Sequence, residues 1–322
     1  MNEFALIDRY FRRAVNDSAV RLSIGDDGAV VAPSPGCDLV FSVDMLVEGR
    51  HFLPGVDPVT LGHKTLAVNL SDMAAMGAKP RWALLAGALP DFNADWLRGF
   101  TQGLFALADR FGVALIGGDT TSGPRNLCLT IIGELPAGTA MKRGGARPDD
   151  DVYVSGALGD AALALAVLQG SARIADADFA KARARLETPE PRVALGERLR
   201  GVATAAIDVS DGLTGDLQHI LDSSGVGAVI DVARIPRSSC LDAMLVDAAR
   251  DAALACILGG GDDYELCFTA AASSRDAVAE IARGVDVPLT RIGSITAVPG
   301  LVVRDERGVP LPALPRSFDH FG

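Results

Sequence analysis

Aromatic side chains are scarce in this chain: Phe, Trp and Tyr together make up 5% of it, with only two tryptophans. A core must therefore be built from Ala, Val, Leu and Ile. The five cysteines, Cys37, Cys128, Cys240, Cys256 and Cys267, include no Cys-x-x-Cys pair. That spacing argues against a zinc site and against a disulfide framework, and it suits a reducing, cytoplasmic setting. Positive charge is also short. No Lys/Arg cluster offsets a formal charge of −11, which excludes an electrostatic nucleic-acid surface. No apolar window reaches the length of a membrane span. Residues 1–15 carry charges at Glu3, Asp8, Arg9, Arg12 and Arg13, the pattern of an amphipathic helix rather than a signal peptide. Neither a GxxxxGK(S/T) loop nor a GxGxxG fingerprint occurs, so any nucleotide must be held by another architecture.

At 322 residues, 49% hydrophobic and 22% charged, the chain predicts two globular domains with large cores. The first half alternates strands (Asp38–Val43, Trp82–Leu89, Val113–Ile116, Leu127–Leu135) with helices (Pro58–Met76 and Asn93–Phe111, with Asn93 as a cap). A turn-rich stretch from Pro136 to Asp151 marks the boundary, giving domains at 1–137 and 149–322. Beyond it the pattern predicts strands at Val152–Ser155, Thr204–Val209, near Val229, Tyr264–Thr269 and Leu289–Ile295. Helices are expected at Asp160–Gln169, Ala177–Leu186, Arg192–Arg200, Leu213–Asp222 and near Leu241–Arg250.

Five acidic clusters stand at the ends of apolar runs or interrupt them: Gly25-Asp26-Asp27, Ser42-Val43-Asp44, Asn69-Leu70-Ser71-Asp72, Gly117-Gly118-Asp119 and Asp208-Val209-Ser210-Asp211-Gly212. Unpaired charge is costly to bury, and gathered carboxylates repel unless a hard cation such as Mg²⁺ lies among them. On a strand, Ser42 and Asp44 share a face, and so do Asp208 and Ser210. Each pair offers oxygen ligands, although a cap or turn explains any one pair equally well. Thr65, Asn69 and Asp72 form a narrow polar seam on an otherwise apolar helix. That seam must face something polar, either a ligand or neighbouring backbone. The clusters together suggest a metal-rich phosphate site dispersed along the sequence.

In order, these clusters with Gly49-Arg50-His51-Phe52, Met73-Ala74-Ala75-Met76-Gly77-Ala78, Gly261-Asp262-Asp263-Tyr264-Glu265-Leu266 and the terminal Phe318-Asp319-His320-Phe321 closely resemble the thiamine-monophosphate kinases. These enzymes belong to the aminoimidazole-ribonucleotide-synthetase-like (AIR-synthetase-like) superfamily. The resemblance implies an α/β plus α+β, two-domain fold, with the N-terminal domain forming a β-barrel across a homodimer and ATP in a cleft between the domains. It implies Mg-dependent, direct in-line transfer of the ATP γ-phosphate to thiamine monophosphate, giving thiamine diphosphate and ADP in thiamine diphosphate biosynthesis. Asp27, Ser42, Val43, Asp44, Asp72, Asp119, Asp208 and Asp211 match its metal positions, with Val43 serving through its backbone carbonyl. Gly118, Asp119, Arg143 and Ser210 match nucleotide positions, and His51, Asp262 and Phe318 match thiamine phosphate positions. Asp27, Asp72, Asp208 and Arg143 are expected to carry the transfer. Two departures stand out: Val43 replaces a hydroxyl residue, and Asp262 replaces glutamate. Selenophosphate synthetases would need a reactive cysteine near the N-terminus, and the first 36 residues contain none.

Overall fold

The computed structural model describes residues 3–246 and 248–319. The chain divides into two compact units, Met1–Met73 with Ala78–Gly138, and Ala74–Gly77 with Thr139–Gly322.

The first unit runs α1 (Glu3–Tyr10), β1 (Val20–Leu22), β2 (Val30–Val31), β3 (Cys37–Val47), α2 (Pro58–Met76), β4 (Lys79–Leu89), α3 (Ala94–Phe111), β5 (Ala114–Ser122) and β6 (Asn126–Pro136). Four strands form an open sheet in the order β3-β6-β4-β5. β4 and β5 are parallel, while the other pairs are antiparallel. α2 has the bounds that its apolar run predicts, and Leu66, Ala67, Val68, Leu70 and Met73 are buried. It can lie against α3 because both helices carry glycine where they meet. A Cβ on Gly62 would strike the Phe100 carbonyl, and one on Gly103 the Val59 carbonyl. The Asn93 side chain caps α3, accepting from the backbone N–H groups of Asp95 and Trp96 at 3.1 and 3.0 Å. Gly112 ends that helix at a left-handed φ of 66°, as C-terminal glycines commonly do.

The second unit contains β7 (Asp151–Ser155), α4 (Asp160–Leu168), α5 (Asp176–Glu187), α6 (Val193–Leu199), β8 (Ala203–Val209), α7 (Leu213–Ser224) and β9 (Gly227–Asp231). After these come α8 (Ser239–Leu245), α9 (Arg250–Leu254), β10 (Glu265–Ala270), α10 (Arg275–Val285), β11 (Leu289–Thr296) and β12 (Gly300–Arg304). Six strands order as β12-β9-β11-β7-β10-β8, with β12 and β9 parallel and the rest antiparallel. Aliphatic residues such as Val152, Val154, Ile207, Leu217 and Ile220 pack its core. All five cysteines of the chain are free thiols. No described helix is long and apolar enough to cross a membrane.

The structure corrects one expectation. The helix expected near Leu241–Arg250 is two short helices, α8 and α9, separated by residues of which Asp247 lies outside those described. Among the described residues the sheet of the first unit is open, with β3 and β5 at its edges. The terminal His320-Phe321 also lies outside the described residues.

Candidate functional site

Within the first unit, two of the acidic clusters meet. Val40 and Leu46 are buried on the same face of β3 that carries Ser42 and Asp44. Ser42 Oγ donates to Asp72 Oδ2 of α2 at 2.5 Å, which joins the strand cluster to the helical seam. The rest of the seam turns back on its own helix. Thr65 Oγ1 donates to the Leu61 carbonyl at 2.8 Å, and Asn69 Nδ2 to the Thr65 carbonyl at 3.1 Å. So the backbone explanation holds for Thr65, and for the amide hydrogens of Asn69, while Asp72 reaches out to another element. Asn69 Oδ1 stays buried without a hydrogen-bond partner, which leaves an unmet acceptor one turn from Asp72.

Two other clusters share a cavity. A hollow of about 990 Å³ in the first unit is lined by Asp27, Gly118 and Asp119, with Arg12, Trp96 and Phe100 among its walls. Gly118 has a φ of 147°, and a Cβ there would collide with the Leu85 carbonyl. A side chain could not occupy that position of β5, so the backbone itself faces the hollow. Asp27 and Asp119 are exposed.

His51 and Val43 sit differently. The His51 Nδ1 accepts the Val47 backbone N–H at 3.0 Å, so the ring folds back on the end of β3 with Nε2 as the protonated nitrogen. The Val43 side chain is exposed on the face opposite Ser42 and Asp44.

In the second unit the end of β8 and the Ser210–Gly212 turn before α7 are met by Asp262 and Phe318. Asp208 is the penultimate residue of β8 and is buried. The turn's carbonyls accept from two distant segments: Asp262 N–H donates to Ser210 O at 2.8 Å, Tyr264 N–H to Val209 O at 2.9 Å, and Phe318 N–H to Asp211 O at 3.0 Å. Tyr264 Oη also donates to Asp262 Oδ1 at 3.0 Å. Asp262 and Tyr264 both adopt left-handed backbone, with φ of 68° and 50°. Such non-glycine conformations persist only where their surroundings impose them, and they cluster at functional positions. Arg143 lies in an exposed loop whose neighbour Lys142 accepts the Ala206 N–H at 2.9 Å, which fixes that loop along β8.

Sequence reasoning missed Asp216. This carboxylate on the first turn of α7 is buried, and its Oδ2 accepts three consecutive backbone N–H groups, from Ser210 at 3.0 Å and from Asp211 and Gly212 at 3.1 Å. Burial, aided by the charge of Asp211, pushes its pKa up to about 7 against the pull of the three N–H donors. An acidic residue four positions after Gly212, at the head of an apolar helix, was the available signal.

The donor set suits a hard cation, since it consists of carboxylate and hydroxyl oxygens. Among the described residues no group of three His, Cys, Asp or Glu side chains is arranged to hold a metal by itself. Mg²⁺ commonly takes only one or two carboxylates and completes its shell with water and substrate phosphates. The residues therefore fit Mg²⁺ delivered with a nucleotide.

Comparison with known proteins agrees in both halves. Residues 25–135 match the AIR synthase related protein N-terminal domain, and residues 147–306 match the C-terminal domain. The thiamine-monophosphate kinase of Salmonella typhimurium is 46% identical over 323 residues, 99% of this chain and 98% of its own length. The crystal structure of thiamine-monophosphate kinase from Stenotrophomonas maltophilia superposes with a TM-score of 0.85 at 48% identity, covering 97% of this chain and 98% of that one. AaThiL complexed with AMPPCP and TMP gives 0.77 at 27% identity, over 90% of this chain and 89% of that one. By sequence along its whole length and by the fold of both halves, the chain belongs to the thiamine-monophosphate kinase family of AIR synthase related proteins.

Proposed function

We propose that this protein transfers the γ-phosphoryl group of ATP to the phosphate of thiamine monophosphate, giving ADP and thiamine diphosphate. A phosphate oxygen of thiamine monophosphate attacks the γ-phosphorus in line, and the bond to the β–γ bridging oxygen breaks. The observation that carries this is the Ser42–Asp72 contact at 2.5 Å. It turns two clusters 30 residues apart into one oxygen-rich site, in a chain 46% identical to a thiamine-monophosphate kinase.

The chemistry asks little of a general base. A phosphate monoester has its second pKa near about 6, so the acceptor is already ionised at neutral pH. The obstacle is repulsion between two anionic phosphates, which positioning and charge neutralisation overcome. Asp27, Ser42, Asp44, Asp72, Asp119, Asp208 and Asp211, with the Val43 carbonyl, would hold Mg²⁺. Bound Mg²⁺ supplies the positive charge that lets the two phosphates approach. Gly118 admits the nucleotide close to β5, while Ser210 and the Arg143 guanidinium contact it; a guanidinium matches phosphate geometry. His51, Asp262 and Phe318 hold thiamine monophosphate, with the half-exposed Phe318 ring available to stack on it.

The test is direct. The protein, Mg²⁺, ATP and thiamine monophosphate are mixed and followed by ³¹P NMR. ADP and thiamine diphosphate should rise together in equal amounts, and ADP appearing without thiamine diphosphate would end the proposal.

The working unit is a homodimer whose first-unit sheets close into a shared barrel. Among the described strands β3 pairs only with β6 and so leaves one edge open, and Phe41, Val43 and Met45 are 62%, 58% and 50% exposed along it. Open edges that carry apolar side chains invite another strand. A second copy of the same edge supplies one with matching chemistry. Phe41→Arg should weaken the dimer by at least about 2 kcal/mol, the scale of an interface hot spot. Light scattering at micromolar concentration would then show a monomer where the wild type shows a dimer. A monomeric wild type would rule the barrel out. The free thiols suit a cytoplasmic location.

A further inference from the structure

The Ser210–Gly212 turn has a feature that its position at a helix start does not require. Three successive backbone N–H groups converge on one point, the arrangement that elsewhere forms an anion-binding nest. Here the nest is filled from within the chain by Asp216 Oδ2, at 3.0 to 3.1 Å from each nitrogen. Asp216 is only 3% exposed, so no phosphate can reach those donors while it is in place. The other side of the turn is pinned as well, since the carbonyls of Val209, Ser210 and Asp211 accept from Tyr264, Asp262 and Phe318. Gly212, at a φ of 123°, packs so closely on the Gly259 backbone that a Cβ would overlap it. The turn is thus held by Asp216 from inside and by two distant segments from outside.

We propose that Asp216 is a positioning residue. By occupying the nest it prevents this turn from acting as a phosphate cradle, and it fixes Asp208 and Asp211 as a cation-binding pair. This rests on the kinase assignment above only in taking Mg²⁺ as the cation. Asp216 touches neither substrate. Its effect reaches the cation through the backbone of Ser210, Asp211 and Gly212.

The test uses the full-length protein and Mn²⁺ alone as the probe, with binding read by electron paramagnetic resonance and no nucleotide or thiamine present. Asp216→Ala frees the three N–H groups and should weaken Mn²⁺ binding at least about tenfold, the usual cost of losing a group that orients metal ligands. The Mg²⁺ concentration for half-maximal turnover should rise by a similar factor. Asp216→Asn keeps an oxygen acceptor and should stay within about threefold of wild type in both, since this group acts through hydrogen bonds. Should Asp216→Ala fail to fold, Asp216→Glu decides, because it keeps the charge but displaces the oxygen by a methylene and should also weaken Mn²⁺. Wild-type Mn²⁺ affinity in a folded Ala or Glu variant would reduce Asp216 to a structural cap and overturn the proposal. So would an Asn variant as weak as Ala, since charge rather than positioning would then be the cause. If the wild type binds Mn²⁺ but makes no thiamine diphosphate, the kinase assignment fails and this proposal stands on the binding data. If the wild type binds no Mn²⁺, the proposal falls whatever the kinase assay returns.

Discussion

Replacing Asp72 by asparagine should lower kcat by about 10²–10³-fold, the scale seen when one preorganised charge-stabilising group is lost. The fold should lose less than about 1 kcal/mol, because a neutral hydrogen bond remains. The two effects separate because of where Asp72 sits. It lies half-buried on α2, and its contact with Ser42 Oγ needs only an acceptor, which the asparagine oxygen also provides. Asparagine lacks the negative charge that a cation shared with two phosphates requires. Steady-state turnover at saturating Mg²⁺, paired with thermal melting, measures both quantities. Wild-type turnover in this variant would remove Asp72 from the metal-binding set. An equal loss of stability and activity would make the seam structural.

Glu265→Ala should act in the opposite sense, destabilising the fold by about 3–5 kcal/mol, the range for removing one partner from a buried ion pair. Glu265 is fully buried at the start of β10. Arg192 Nε and Nη2 donate to it at 2.7 and 2.5 Å, Arg185 Nη2 at 2.6 Å and Ser155 Oγ at 2.5 Å. Arg185 and Arg192 retain 25% and 15% side-chain exposure, so water can partly solvate them and the lower end of the range is expected. Urea unfolding of the variant gives the number directly. A loss below about 1 kcal/mol, typical of exposed ion pairs, would mean that the arginines find other partners and that the network does not tie α5 and the start of α6 to the sheet. Glu265 and Asp262 stand three residues apart in one acidic motif, yet the structure gives Glu265 to packing and leaves Asp262 at the turn that gathers Ser210 and Phe318.

That division explains how far the sequence could be read. Periodicity located α2, and the cap residue located α3, because both signals are local. The alternation of strands and helices in the first half follows from the same kind of pattern. α10 (Arg275–Val285) was passed over. It buries only Val278, although Ile281 and Val285 share its face at helical spacing and were the available signal. β12 escaped because it is a short edge strand that starts at a glycine. At the site, residue types and order pointed to oxygen ligands and phosphate. What they could not convey was the pairing: that Asp72 meets Ser42, that Asp27 and Gly118 line one hollow, or that Thr65 turns back on its own helix. Asp216 was missed for a further reason: its place marks it, but its role depends on where three backbone N–H groups point.

β3 pairs with β6 along its full length, from Cys37 opposite Pro136 to Val47 opposite Asn126. Its even-numbered residues Ser42 and Asp44 lie on the face that meets Asp72, and its odd-numbered residues Phe41, Val43 and Met45 face outward. Because side chains alternate strictly, a one-residue shift exchanges the two faces. Substitutions can therefore alter either face alone, but deleting or inserting one residue inside this strand would scramble both at once. Among descendants of this gene, residues 37–47 should tolerate changes of letter and almost no change of length.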